Sequence, residues 1–431
     1  MRPPFDYCDM NIRAKKKILV PIFFRGHLGR LRSVLRGIGE DPRMELQIMV
    51  ATSQAHGSFF TNIRHSEPRD WGVALRWYIK ARALGFASVF DPQILSRYDS
   101  LVRYVTNEGF QIHSRVPFFL DGGTSSTMAK SVGIGMVRIT DELLRLRPDI
   151  VLINGDRFEM MAVAIAATYL NIPIAHHEGG DVSGSIDESV RHAITKFSHV
   201  HLTATERSRG RVLQMGENPR FVFCVGSPTI DALKAIDFQK REQILPGINP
   251  DQPYLLVLVH PVTTEGDEQN RHAVMSILEV VERLQMPVAL IAGNSDAYSR
   301  IVGPMIVAWK DRKHPAYAAV TKLLRPDRFA RLLSGAACAI GNSSSFIREG
   351  AYLGTPAVLV GSRQRGRECG KNVREVAADP DVIEFAVREQ LAHGRYPSDL
   401  MFGDGNAGKR IIEILATAEP PIQKTFHDVI G

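Results

Sequence analysis

"DIVLINGDRFEMMAVAIAATYLNIPIAHHEGG", residues 149–180, contains two continuous apolar runs separated by an Ala-rich segment, and each run ends in glycine and acidic residues. Apolar runs without polar alternation mark strands buried on both faces, and a helical segment between two of them marks a parallel crossover. The stretch therefore predicts strand, helix, strand, with Asp156 and Glu178 just past the carboxyl ends of two strands. The same pattern recurs upstream. "KKILVPIFF" (16–24) runs into "RGHLGRLRSVLRGI" (25–38), where Leu28, Leu31, Leu35 and Ile38 keep helical spacing, and "LQIMVAT" (46–52) is a further apolar run.

Downstream the pattern restarts with "PYLLVLVHP" (253–261), "MPVALIAG" (286–293), "CAIGNSSS" (338–345) and "TPAVLVG" (355–361). Strands alternating with helices predict an α/β chain of two Rossmann-like domains, each a doubly wound parallel sheet, with a cleft between them. The expected divisions are a flexible N-terminal extension at 1–15, a first domain at 16–235 and a second at 236–402. A C-terminal helix and tail at 403–431 should pack near the interdomain region.

Length and composition agree with this plan. A chain of 431 residues exceeds what one core supports, and 44% apolar with 23% charged residues is ordinary for a globular protein. The net charge of +7 is spread along the chain, which suits an anionic small molecule such as a nucleotide. No Arg-rich array interleaved with aromatics is present, so nucleic acid is not an expected partner. Cys8, Cys224, Cys338 and Cys369 show no CxxC spacing, which argues against a zinc ribbon or a disulfide framework and for a reducing, cytoplasmic setting. No apolar run reaches the ~18 residues of a membrane span.

In such sheets chemistry belongs to the loops after strands. "HHEGGDVSGSIDESVRH" (176–192) places four carboxylates and three histidines in seventeen positions. Each carboxylate has a structural explanation, since Asp156 and Asp187 can cap helices. Three acids at strand ends on one sheet edge are harder to explain that way. In "AIGNSSSFIREGAYLGTP" a strand meets a Ser-rich turn and then a helix, the arrangement that binds phosphates through backbone N–H groups. Ser343, Ser344 and Glu349 are its candidate ligands, with Arg363, Arg365 and Arg367 of "GSRQRGREC" and His260 of "LVHP" nearby. "GIGMVR" (133–138) lacks the third glycine of a dinucleotide fingerprint. His199 and His201 have no third ligand in sight, so packing explains them better than a metal.

Taken together, "INGDRFEMMAVAIAATYLNIPIAHHEGGDVSGSIDESVRHAITKFSHVHLTATE", "GSPTIDAL", "GNSSSFIREGAYLGTP" and "GSRQRGRECGKNV" resemble the hydrolysing UDP-N-acetylglucosamine 2-epimerases of sialic acid biosynthesis, over nearly all of residues 16–415. The resemblance implies a GT-B fold, a UDP-sugar substrate, a homodimer or homotetramer, and neither cofactor nor metal. It implies conversion of UDP-N-acetylglucosamine and water into N-acetylmannosamine and UDP, by elimination to a 2-acetamidoglucal and then hydration. Close relatives act on UDP-N,N'-diacetylbacillosamine, and non-hydrolysing 2-epimerases share the first step. By the same resemblance Asp156, Glu178, Asp187 and His260 are catalytic, while Arg25, Arg191, His192, Ser343, Ser344, Glu349 and Arg363 bind substrate.

Three features depart from the family pattern. His27 stands in "FRGHLG" where an acid is expected, Phe346 replaces a glycine beside the nucleotide loop, and residues 64–96 read as an insertion. The first two speak for a nucleotide-sugar binder that has lost turnover; the intact acids speak against it.

Overall fold

A computed structural model describes residues 15–53, 101–120, 125–240, 242–262, 264–292, 299–313, 315–321 and 324–428. The extension read over 1–15, except for Lys15, and the insertion read over 64–96 lie outside these residues.

The first sheet is built from β1 (Lys16–Ile22), β2 (Met44–Ser53), β3 (Ser114–Phe119), β4 (Ile150–Asn154), β5 (Ile174–His177), β6 (Val200–Thr203) and β7 (Val222–Cys224), in the order β3-β2-β1-β4-β5-β6-β7. Every pair is parallel. Its crossovers include α1 (Arg25–Glu40), α2 (Ser125–Leu146), α3 (Phe158–Tyr169), α4 (Asp187–Phe197) and α5 (Glu206–Gln214), and α6 (Pro228–Lys234) follows its last strand. The second sheet holds β8 (Leu255–Leu258), β9 (Val288–Ile291), β10 (Ala318–Thr321), β11 (Cys338–Gly341), β12 (Ala357–Val360) and β13 (Val373–Val376), in the order β10-β9-β8-β11-β12-β13. Its helices are α7 (Asp267–Leu284), α8 (Ser299–Lys313), α9 (Pro326–Gly335), α10 (Ser344–Leu353) and α11 (Pro380–His393).

Both sheets are parallel and covered on both faces, so β4 is buried along all five residues. Leu28, Leu31, Leu35 and Ile38 of α1 all turn into one cluster under the first sheet. At about 1.5–3 kcal/mol for each large apolar side chain taken out of water, that stripe fixes α1 against the sheet. Strand order reverses between β1 and β4 in one sheet and between β8 and β11 in the other. These reversals open crevices at the carboxyl ends, where ligands of such sheets bind.

After the second sheet the chain returns to the first. Ser227 N–H donates to the Phe402 carbonyl at 2.7 Å, and Gly226, with φ +87°, lies so close to Gly403 that a Cβ would sit 3.0 Å from its Cα. Helix α12 (Ala407–Thr417) then buries Ile411 and Leu415 in the α1 cluster. Its free N–H groups at Ala407 and Gly408 donate to the Asp231 carboxylate at 3.0 and 2.6 Å, and Lys16 Nζ donates to the carbonyls of Leu415 and Ala418. "GIGMVR" lies within α2.

Candidate active site

The acidic loops owe their shape to glycines at the strand ends. β4 leaves through Gly155 (φ +82°) to Asp156, and β5 leaves through Glu178, Gly179 and Gly180 (φ +78°). A Cβ on Gly180 would lie 2.2 Å from the Ser208 carbonyl oxygen, so only glycine fits there. Glu178 itself has a left-handed backbone, φ +68°, which a side chain rarely adopts and which costs about 1–3 kcal/mol. Two buried histidines brace the turn. His176 bridges Thr195 Oγ1 (3.1 Å) and the Gly155 carbonyl (2.9 Å), and burial pushes its pKa down to about 3, so it stays neutral. His177 bridges Asn154 and the Gly226 carbonyl.

Charges of opposite sign alternate across the cleft. Arg191 of α4, 1% exposed, pairs with Asp156 and donates to the Asp181 carbonyl at 2.8 Å. From the second sheet, Arg348 of α10 places Nη1 2.5 Å from Glu178 Oε1 and Nη2 2.8 Å from Asp181 Oδ2. Arg30 of α1 approaches Glu178 Oε2 at 3.4 Å, and Arg367 approaches Asp181 at 3.5 Å. Ser208 Oγ donates to Asp181 Oδ1 at 2.7 Å.

This arrangement separates the carboxylates electrostatically. Burial opposes ionisation of Asp156, Glu178 and Asp181, yet the arginines outweigh it. Arg191 and Arg367 hold Asp156 well below its usual value, Arg348 and Arg30 lower Glu178, and Arg348 and Arg367 hold Asp181 at about 2. Asp187 is shifted the other way. Burial and then the charge of Asp156 raise it, against weaker opposition from Arg157, a hydrogen bond from Ser185 at 3.0 Å, and Arg363. Neighbouring carboxylates biased toward opposite protonation states are what proton transfer needs.

Other expected residues are placed as follows. Arg25 is exposed with its guanidinium 5.4 Å from the centre of the Tyr104 ring, and Arg30, a turn and a half further on, is the α1 arginine that reaches the acids. His192 lies 3.7 Å from Glu188, whose carboxylate accepts from Ser183 N–H at 2.7 Å. His260 is fixed through its backbone, exchanging two 2.7 Å hydrogen bonds with the Asn342 carboxamide. Ser343 caps α10 by accepting from Ser345 N–H, with Ser344 half-buried beside it. Glu349 faces Arg30 and Arg348, and burial raises its pKa over their opposition. Arg363 donates to the Asn342 carbonyl at 3.2 Å, and its own carbonyl accepts from Gly184 N–H at 3.2 Å, joining the acidic loop to the second domain.

The departures from the family pattern have packing explanations. His27, 1% exposed, accepts the Phe23 N–H on Nδ1 at 3.4 Å and stacks on Phe24. Burial holds it neutral, so its Nδ1 is left without a proton and accepts that hydrogen bond just ahead of α1. Phe346, expected beside the nucleotide, turns its side chain into the core under the second sheet. Sequence reasoning did not single out Arg30, Asp181 or Arg348. Asp181 lies inside the quoted EGGD, and Arg348 adjoins Glu349, but their pairing spans 167 residues of chain.

Among the described residues no cluster of three His, Cys, Asp or Glu could hold a metal ion, and no helix is long and apolar enough to cross a membrane. Residues 95–416 match the family model described as UDP-N-acetylglucosamine 2-epimerase. The chain is 35% identical over 322 residues, 74% of its length and 84% of the relative's, to UDP-N,N'-diacetylbacillosamine 2-epimerase (hydrolyzing) of Legionella pneumophila. It is 28% identical over 343 residues, 78% of its length and 89% of the relative's, to UDP-N-acetylglucosamine 2-epimerase of Neisseria meningitidis. The Methanocaldococcus jannaschii UDP-GlcNAc 2-epimerase solved with UDP-GlcNAc and UDP superposes with a TM-score of 0.71 at 18% identity, covering 94% of this chain and 100% of that one. The fold is GT-B: two parallel α/β sheets facing a shared cleft.

Proposed function

The chain belongs to the UDP-N-acetylglucosamine 2-epimerase family, and we propose that it is a hydrolysing member, converting UDP-N-acetylglucosamine and water into N-acetylmannosamine and UDP. The observation that supports the 2-epimerase chemistry is the convergence of Asp156, Glu178 and Asp187 on a cleft whose opposite wall supplies Arg348, Arg363 and Arg367. The hydrolysing choice is supported by the 35%-identical relative, which is named as hydrolyzing.

The C2 proton of an N-acetylhexosamine is too weakly acidic to leave unaided. As the C1–O bond to UDP stretches, positive charge on the ring acidifies C2 and attracts carboxylates. One ionised carboxylate, Glu178 or Asp156, takes the proton while the C1–O electron pair departs with UDP, leaving 2-acetamidoglucal. Water then supplies hydroxide to C1 while C2 receives a proton on its other face, for which Asp187 is suited by its raised pKa. The Ser343 and Ser344 turn at the start of α10 and Arg363 suit the leaving diphosphate. Nothing is oxidised in the balance, so the chemistry calls for no redox cofactor. The 35%-identical relative favours a second reading, the same reaction on UDP-N,N'-diacetylbacillosamine.

Proton NMR of the protein with UDP-N-acetylglucosamine in buffered heavy water tests the proposal. Free UDP with N-acetylmannosamine deuterated at C2 is the expected outcome. An epimerised sugar still bound to UDP would make the protein a non-hydrolysing 2-epimerase. An unchanged substrate together with an active UDP-N,N'-diacetylbacillosamine would select the second reading, and silence on both would remove the activity.

A further inference from the structure

Arg348 is not among the residues assigned above to proton transfer or to the diphosphate, yet its side chain is 4% exposed and spans the two domains. We propose that Arg348 is a positioning residue, whose forked guanidinium reaches across the cleft to tie Glu178 to Asp181 and keeps the Glu178 carboxylate aimed as the base of the reaction. This rests on the reading of Glu178, rather than Asp156, as the carboxylate that takes the C2 proton.

Three observations carry it. Both terminal nitrogens are committed to carboxylates, at 2.5 Å to Glu178 and 2.8 Å to Asp181, and neither acid is more than 6% exposed. Arg348 is therefore turned away from bulk solvent and acts through its partners. Glu178 holds a left-handed backbone at the end of β5, so a tether on its side chain is what keeps the carboxylate in one place. The fork also lets one guanidinium donate to two separate carboxylates through two fixed nitrogens, which the single point charge of an ammonium does not do.

The groups facing Glu178 are Arg348 from α10, Arg30 from α1, and His177 and Asp181 from its own segment. Burial drives Glu178 toward the neutral acid, and Arg348 is the largest of the opposing charges. Arg30 is one-third exposed and 3.4 Å away, so solvent screens it. Without Arg348, burial and the negative Asp181 act together to raise Glu178, and the ionised base is lost from the acid side of the pH range.

The test compares Arg348→Met and Arg348→Lys with wild type, following kcat and KM against pH on whichever UDP-sugar the wild type turns over. In Arg348→Met the acid limb of kcat should move up by about 1–3 pH units, the scale of removing one adjacent opposite charge, while KM changes little. Arg348→Lys should bring the limb back toward wild type with kcat still reduced, because its point charge cannot fork. A kcat lowered equally at all pH values, or a raised KM with kcat intact, would overturn the proposal in favour of a purely structural or diphosphate-binding arginine. If Arg348→Met does not fold, Arg348→Gln, equally uncharged, is measured in its place with the same expected and overturning outcomes. If the wild type turns over neither sugar, the functional reading fails by itself. The titration of the Glu178 carboxyl, followed by carbon-13 NMR and assigned with Glu178→Gln, then decides Arg348: an unmoved midpoint in the variants sinks it.

Discussion

At the scale of single residues, the cleft separates carboxylates that sequence leaves alike. Asp156 and Glu178 are held ionised by buried arginines, whereas Asp187 is pushed toward its protonated form by burial and by Asp156. Replacing a general acid or base by its amide removes the proton transfer and leaves the shape. Glu178→Gln and Asp187→Asn should each lower kcat at least ~100-fold in the deuterium assay, and near-normal turnover in both would undo the assignment. Asp156 and Glu178 were legible because each lies beside an apolar run that ends in glycine, and Asp187 because it opens a helical run in the same acidic loop. Arg348 and Asp181 were not, because an ion pair between residues 167 positions apart exists only once two sheets face each other. That Arg30 reaches Glu178 depends on how α1 lies against the sheet, which no local pattern encodes.

At the scale of elements, the same division holds. Continuous apolar runs mark β1, β2, β4, β5, β8, β9, β11 and β12, and pass over the interior strand β6, whose four residues VHLT are broken by a histidine, and the four edge strands β3, β7, β10 and β13. An edge strand has a neighbour on one side only, so "SRVPFF" of β3 alternates between buried and more accessible positions and "VREV" of β13 is half polar. The segment after α12 was equally unreadable, since its anchors are distant in the chain. Lys424 Nζ donates to Glu217 at 2.5 Å and to the Ser198 carbonyl at 2.8 Å, His199 meets the Ile422 carbonyl at 3.0 Å, and His427 N–H meets the Gly216 carbonyl at 2.9 Å. Glu217, 3% exposed, also takes Lys196 and His201. Although burial opposes it, the hydrogen bonds from His201, Lys196 and Lys424 hold its pKa at about 2, against an ordinary 4.5. A carboxylate lowered on folding adds stability that is complete above the unfolded value and fades as pH falls through the folded one. The anchor should therefore hold above about pH 4.5 and weaken toward pH 2. Glu217→Gln should cost about 1–3 kcal/mol, the range for losing hydrogen bonds to a buried charge, and speed amide exchange over residues 419–428 at neutral pH. Unchanged exchange there would show that packing, not Glu217, holds the segment.

At the scale of the whole molecule, the site exists only while the loop at 181–186 meets the loop at 361–367, and Gly184 is where they touch. Its N–H donates to the Arg363 carbonyl, and a Cβ on it would fall 2.1 Å from the Ser362 carbonyl oxygen. The obstruction is backbone and cannot rotate away as a side-chain tip would. Ser362 is itself tied to Glu265 of the segment after β8, and Gln364 donates to the Asn342 carbonyl at 3.0 Å, so the loop cannot yield without disturbing the strand ends around His260 and Ser343. Gly184→Ala must then part the domains. Forcing one methyl into such a contact costs about 1–3 kcal/mol. Because each 1.4 kcal/mol is tenfold, kcat/KM should fall roughly 10- to 100-fold. Both hydrophobic cores lie away from this contact, so the thermal midpoint should hardly move. Unfolding and turnover measured on the same preparation separate the two effects. Full kcat/KM in Gly184→Ala would mean that the loops work apart, and that the closed cleft described here is not the form in which the acids act.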